Sequence, residues 1–467
     1  MSTNSIQTAA NVRPTKRQMT WQDTEYYGMI FYGINTFTAR EIGTGAEGAK
    51  TFFPLELDTD DWAQVIADAD MKGMILTAKH YDGFCNWQTK TTDYSVAGSD
   101  WEDGKGDLVR LCAESARRHG LKFGLYYPIW DMHEPSFKKT DGSFNDFIIA
   151  QLTELLTEYG HIFELYLDDR CNHLINFSID YARIYALVRK LQPDCAITFR
   201  GPDARYLGNA RGVTRKAEWS VVPANYSYTE DGSVPASVRR RKEGEMELDI
   251  GSAKAIKKET AFAWAPCEVF WPMRSHLFYR NDDEYTVKTK DKILDVYLRT
   301  VGANANLCIA LAPDRNGKFH ETDAKILAAT GKDLHITYAS NILTDTSVVE
   351  SIKASTEAGG MYSVKELTSP VGSWRAADGD KRPEITVLFK EEELFDKVVL
   401  CENIANGEHI EEFEVSLKQK GKWKKVYEGT NVGHKRIVPL RTGKSEGVRI
   451  VIKKYREFVE LKSLQIN

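Results

Sequence analysis

Two apolar runs in this sequence end in groups that can do chemistry. "GMILTA" (73–78) leads into Lys79-His80-Tyr81-Asp82, and "IFELYLD" (162–168) closes on Asp168 with Asp169 and Arg170 behind it. A core has no need of a cation, an imidazole, a phenol and adjacent carboxylates at the ends of buried segments; a binding site does. The same kind of ending recurs. "MIFYGINTF" (29–37) carries Asn35, with Arg40 and Glu41 just beyond. "KFGLYY" (122–127) closes on Tyr126 and Tyr127 ahead of Trp130 and Asp131, and "AITFR" (196–200) closes on Arg200. Rings beside carboxylates suit a sugar, since an aromatic face packs on the C–H side of a pyranose while His, Asn and Arg bond its hydroxyls. Cleaving a glycosidic bond takes two carboxyl groups, one as nucleophile or base and one as acid. Asp168 is the first candidate, because a carboxylate next to Asp169 needs Arg170 or a substrate to offset it. His80 is a candidate for binding hydroxyls. Trp87, in "FCNWQ", reads equally as packing or as a sugar platform, and Glu164, inside its run, reads as structural.

These endings have to meet in one place, and the intervening segments say how. "EWSVV" (218–222), "CEVFW" (267–271) and "ANLCIAL" (305–311) complete eight strand candidates. Amphipathic helices such as "DWAQVIADADMK", "DLVRLCAESARRHG" and "FNDFIIAQLTELLTEYG" lie between them. In the last, Phe147, Leu152, Leu155 and Leu156 recur at helical spacing and Gly160 is placed as a C-terminal stop. Eight strands with helical crossovers predict an α/β fold, a (β/α)8-like TIM barrel over residues 1–335, with its site at the C-terminal strand ends. A doubly wound sheet is the alternative, and it would bring a glycine-rich phosphate loop placed directly between an early strand and the helix that follows it. From 336 to 467, "KVVLCEN", "EEFEVSLK", "KWKKVYEG", "HKRIVPLR" and "GVRIVIKK" alternate with turns and predict an antiparallel β-sandwich.

Composition removes several function classes. The 467 residues are 42% hydrophobic and 28% charged, the profile of a globular chain of two or three domains. No stretch approaches the roughly 20 apolar residues of a membrane helix. A net charge of −5 with mixed signs argues against nucleic acid, and "RRRK" (239–242) reads as a solvated loop. The opening "MSTNSIQTAANVRPTKRQ" has no apolar signal core and reads as a polar arm. Seven cysteines without a C-x-x-C pair read as buried thiols of a reducing compartment. The expected location is therefore cytoplasmic, or secreted if a signal peptide has been removed. The ten histidines form no close ligand pair, so neither a metal nor another cofactor is expected.

"FYGINTFTAREIGTG", "GMILTAKHYDGFCNWQTKTTDYSV", "YGHIFELYLDD", "EWSVVP" and "VGANANLCIALAPDRNGKFHETD" resemble, in order, motifs of the family 29 glycoside hydrolases, the α-L-fucosidases. The likeness leans to the branch acting on α-1,3/1,4-linked fucose of Lewis-type glycans. The segment from "FDKVVLCEN" onward resembles that family's trailing sandwich of the galactose-binding or discoidin-like kind. The resemblance implies a retaining mechanism on a fucosylated oligosaccharide or glycoconjugate, with two carboxyl groups about 5–5.5 Å apart. It puts Asp168 in the nucleophile's position and His80, Asn35 and Glu41 on the sugar, with Tyr81, Trp87 and Tyr126 in the same subsite.

The departures are as informative as the match. The family's second histidine is Tyr81, the tryptophan after Glu41 is Ile42, and W-F-D-G has become Tyr166-Leu167-Asp168-Asp169. The branch's acid/base glutamate belongs to a G-N-E triplet, which here reads Gly208-Asn209-Ala210. A methyl group moves no proton. Ala210 is thus either a substitution introduced to trap a glycan, a sign that Glu218 or Glu268 supplies the acid, or the mark of a relative that binds glycans without turnover or cleaves a related sugar.

Overall fold

The computed structural model describes residues 2–170, 177–207, 210–233 and 248–467. "RRRK", Cys171, Gly208 and Asn209 lie outside the described residues. Segments apolar on both faces fold as parallel strands covered on both sides. They are β1 (Tyr26–Ile30), β2 (Gly73–Thr77), β3 (Lys122–Pro128), β4 (Glu164–Asp168), β5 (Ala196–Phe199) and β6 (Arg205–Tyr206). A small hairpin follows, β7 (Val221–Pro223) and β8 (Phe262–Trp264), and then β9 (Cys267–Pro272) and β10 (Ala305–Leu311). The sheet order is β5-β4-β3-β2-β1-β10-β9-β6, so successive strands go round a ring, with β5 and β6 at its seam.

Side chains alternate in and out along each strand. Tyr27, Met29, Phe31, Ile75, Tyr126, Tyr166 and Phe270 fill the ring, while Tyr26, Ile30, Leu76, Tyr127, Leu165 and Leu167 meet the surrounding helices. Among those helices α4 (Thr59–Asp68), α5 (Leu108–Arg118) and α7 (Tyr181–Leu191) begin at Asp58, Asp107 and Asp180, whose carboxylates accept from exposed backbone N–H groups. Helix α6 (Ser143–Glu158) gives way to Gly160 at φ +78°, the expected stop.

Three expectations need correction. The N-terminal arm is helical, as α1 (Ser2–Ala10) and α2 (Lys16–Gln22), and α2 plugs the ring floor: Trp21 packs inside and donates to Glu164 at 2.7 Å. The first strand runs over 26–30 and not 29–37. Its neighbours β2 and β10 pair with it only as far as Ile30, so the chain turns across the ring into α3 (Ile34–Thr38), which carries Asn35. "EWSVV" is not a barrel strand. Its amides at Ser220 and Val221 are taken by Glu408 of the C-terminal domain, and Val221–Pro223 pairs antiparallel with β8. The sixth barrel strand is the two-residue β6.

Helix α8 (Lys290–Thr300) precedes β10, and α9 (Glu321–Ala339) leads out of the barrel. The C-terminal domain holds β11 (Val349–Ala354), β12 (Trp374–Arg375), β13 (Glu384–Glu402), β14 (Ile410–Gln419), β15 (Lys422–Gly429), β16 (Arg436–Tyr455) and β17 (Glu460–Ile466). "HKRIVPLR" and "GVRIVIKK" are two ends of one strand, β16. The long β13 and β16 make the sandwich. The first half of β13 pairs β11 and the second half pairs β17, while β16 follows it throughout. Ile385 and Val387 thereby face Leu400, Leu461 and Leu464 across one apolar core.

Candidate active site

The strand end Lys79-His80-Tyr81-Asp82 divides its labour. Lys79 turns outward and pairs with Asp131 at 2.7 Å, both buried, with the rings of Tyr127 and Phe147 against the ammonium. Asp82 receives the Phe84 amide at 2.8 Å and the Asn35 amide at 2.8 Å, which ties α3 to the strand end. Burial pushes Asp82 up to about 7, aided by the charges of Asp131 and Glu47. His80 and Tyr81 face the ring opening.

His80 is boxed by Tyr81 at 4.4 Å, Tyr126 at 5.8 Å and the edge of Phe278 at 5.0 Å between ring centres. Burial pushes it down to about 3, so it is a neutral imidazole at any physiological pH. With Nδ1 next to the Asn35 amide at 3.5 Å, the proton belongs on Nε2. That Nε2 is buried without a partner among the described residues, as are Asn35 Oδ1 and the Tyr166 hydroxyl. Of the buried polar side-chain atoms without a partner among the described residues, these three stand together: the His80 and Tyr166 rings stack on Tyr126, which bonds Asp168, and Asn35 adjoins His80, so they can serve a hydroxylated ligand.

Asp168 ends β4 facing inward, in the i, i+2, i+4 series Glu164, Tyr166, Asp168. Its Oδ2 accepts from Tyr126 at 2.7 Å, Tyr81 at 2.9 Å and Arg170 Nη2 at 2.5 Å; its Oδ1 accepts from the Arg170 amide at 2.9 Å. Burial pushes this carboxyl up, but the Arg170 charge and the bonds from Arg170 and Tyr126 outweigh it and hold the pKa below the ordinary value. The group is an ionised carboxylate buried among aromatic rings, the state a nucleophile needs.

The other predicted positions fall as follows. Glu41 lies half-buried at the rim, both oxygens accepting from the Leu277 amide at 3.1 Å; it bolts the loop after α3 to the segment bearing Phe278. Its neighbour Ile42 is exposed. Ala210 is exposed in a bend just past β6. Trp87 is not a sugar platform: it is fully buried in the layer between strands and helices, and its indole donates to Glu154 at 2.9 Å. Glu218 is held by Arg205 at 2.8 Å and Arg215 at 3.1 Å, away from the pocket. Glu268 accepts from Tyr27 at 2.6 Å and contacts Glu164 at the other end of the ring. Asp168 stands four residues up β4 from Glu164, roughly 13 Å at the strand rise. Burial raises both glutamates, and the charge of Glu164 raises Glu268 further. Glu268 thus lies toward the opposite end of the ring from Asp168, and Glu218 is taken up by Arg205 and Arg215. The sequence did not flag Phe278 or Tyr166; the inward alternation of β4 was the available signal for Tyr166, and nothing local marks Phe278.

Residues 6–337 match the family model described as Alpha-L-fucosidase. An alpha-L-fucosidase 1 of Arabidopsis thaliana is 29% identical over 449 residues, 95% of this chain and 85% of that protein. A glycoside hydrolase 29 family member from an unknown rumen bacterium is 28% identical with a TM-score of 0.77, over 98% of this chain and 77% of that one. A Ruminococcus gnavus GH29 fucosidase in complex with fucose shares the fold, with a TM-score of 0.86 at 24% identity over 98% of this chain and 95% of that one.

Proposed function

This chain belongs to the alpha-L-fucosidase family, and from that premise we propose that it releases α-1,3/1,4-linked L-fucose from Lewis-type glycans by a retaining displacement at Asp168. The observation that carries the reading is an ionised, inward-facing carboxylate ringed by unused hydrogen-bonding atoms. His80 Nε2–H donates to one sugar hydroxyl, Asn35 Oδ1 accepts from another, and Tyr166 takes a third. A carboxylate oxygen of Asp168 bonds to C1 as the C1–O bond breaks and its electron pair leaves with the glycan. Water oxygen then bonds C1 as the Asp168–C1 bond breaks and the carboxylate is restored; the water proton passes to solvent, from which the departed glycan oxygen has taken one.

The acid/base position is held by Ala210, so the leaving oxygen gets no proton from that side chain and the attacking water no base. Loss of a positioned acid slows such a step by about 10²–10⁴. Natural glycans therefore turn over slowly, and aryl fucosides, whose leaving groups need little protonation, are spared. The test compares this chain with Ala210→Glu and Asp168→Asn on 4-nitrophenyl α-L-fucoside and a Lewis-type trisaccharide. Ala210→Glu should raise trisaccharide hydrolysis about a hundredfold or more, and Asp168→Asn should abolish both activities. Unchanged trisaccharide hydrolysis in Ala210→Glu would remove Ala210 from the acid/base role. If none of the three chains cleaves the aryl fucoside, the protein either binds glycans without turnover or acts on a different sugar.

A further inference from the structure

The Asp168 carboxylate carries more donors than it can keep while it attacks. Tyr81, Tyr126 and three N–H groups of Arg170, the Nε–H shared between both oxygens, bring five donors to it, against about four lone-pair directions. One donor must give way before an oxygen reaches C1. Tyr126 is locked, fully buried and stacked between Tyr166 at 5.6 Å and His80 at 5.8 Å, and Tyr81 is pressed on His80. The Arg170 side chain is 34% exposed, and its guanidinium lies over the rings of Phe199 at 5.4 Å and Phe270 at 5.9 Å, covering Asp168 from the solvent side.

We propose that Arg170 is a displaceable positioning residue: it covers Asp168 in the resting enzyme, yields to the incoming sugar, and draws the carboxylate off the sugar in the second step. This rests on Asp168 being the nucleophile. In the first step a negative charge leaves Asp168 as its oxygen bonds to C1, so a guanidinium on the free carboxylate favours the ground state and slows attack. In the second step water oxygen bonds to C1, the Asp168–C1 bond breaks, its electron pair returns to the carboxylate, and the water proton passes to solvent. Charge now grows beside Arg170, which stabilises the transition state more than the neutral ester. A better leaving group offsets, in part, a water that the Ala210 position cannot activate.

The test uses 2-deoxy-2-fluoro-α-L-fucosyl fluoride, whose fluoride leaves without a proton donor, with intact mass and peptide mapping of the adduct. The chain is compared with Arg170→Met and Arg170→Lys, and the acid limb of kcat/KM is followed on 4-nitrophenyl α-L-fucoside. The expected result is an adduct on Asp168 that lives about tenfold to a hundredfold longer in Arg170→Met, the span of one charge-assisted hydrogen bond. The acid limb should move up by about one pH unit or more. Arg170→Lys, which keeps the charge and loses the fork, should fall between. An Asp168 adduct of unchanged lifetime with an unmoved acid limb overturns the role of Arg170 and leaves the nucleophile standing. No adduct on Asp168 in any of the three chains overturns the nucleophile and this inference with it.

Discussion

His80 shows what burial does to a single side chain. An imidazole pushed down to about 3 neither gains charge at working pH nor serves as a base; it is left as a fixed N–H donor. Its value is in binding, and His80→Phe, which keeps the ring stack and removes the donor, should lower kcat/KM on an aryl fucoside about tenfold with little change in melting temperature. A loss below twofold would mean that Nε2 touches no hydroxyl. Asp168 shows the opposite balance. It is as buried as His80, yet the donors of Arg170 and the two phenols keep it charged. The residue types were legible in the sequence; the direction of each shift was not, because a shift depends on which neighbours reach within a few ångströms.

At the scale of the element, β2 delivers four polar residues and only two of them face the opening. β2 ends at Thr77, and the turn that follows breaks the alternation and carries Lys79 to the helix side, where Asp131 from beyond the end of β3 neutralises it. Both partners are buried, so breaking the pair from one side strands a charge. Lys79→Met should cost about 3–5 kcal/mol, read by denaturant unfolding, and a combined Lys79→Met, Asp131→Leu variant should recover most of that loss. Equal losses in the two variants would show that packing and not charge sets the cost. The turn also explains Trp87: in sequence it lies among candidate site residues, but the chain after β2 carries it back beneath α6 to reach Glu154. Strand boundaries failed where an element's end is set by its neighbours, as with β1, which stops where β2 and β10 stop pairing with it.

At the scale of the whole molecule, the sandwich completes the barrel. Glu408 accepts from Asn304 at 3.0 Å and Asn431 at 3.1 Å besides the β7 amides, Ile437 donates to Gly302 at 3.0 Å, and Lys435 pairs with Glu25 at 2.5 Å. Nearby Glu402 is raised to about 8 by burial and by Glu408, so it binds a proton in the folded chain at pH values where the unfolded chain has lost it. Its contribution is full below the ordinary carboxylate pKa and is lost as pH rises through about 8. Glu25 has the opposite sign: burial raises it, but Lys435 and His434 outweigh burial and hold it at about 2, so its contribution is lost as pH falls through that value. The melting temperature should therefore fall between about pH 5 and pH 8, and Glu402→Gln should flatten that slope. A slope unchanged by Glu402→Gln would assign the pH dependence to other groups.

The sequence alone determined the barrel-plus-sandwich architecture, the family, and Asp168 as the carboxylate at the end of β4. Each of these is written in local periodicity or in a run of residues a few positions long. Only the tertiary structure decided that Arg170 and two tyrosines share Asp168, that Phe278 walls His80, that Trp87 is core, and that "EWSVV" lies outside the barrel against β8 and Glu408. Those outcomes depend on segments up to some hundreds of residues apart, held together by closure of the ring and docking of the sandwich, and no local pattern encodes such distances.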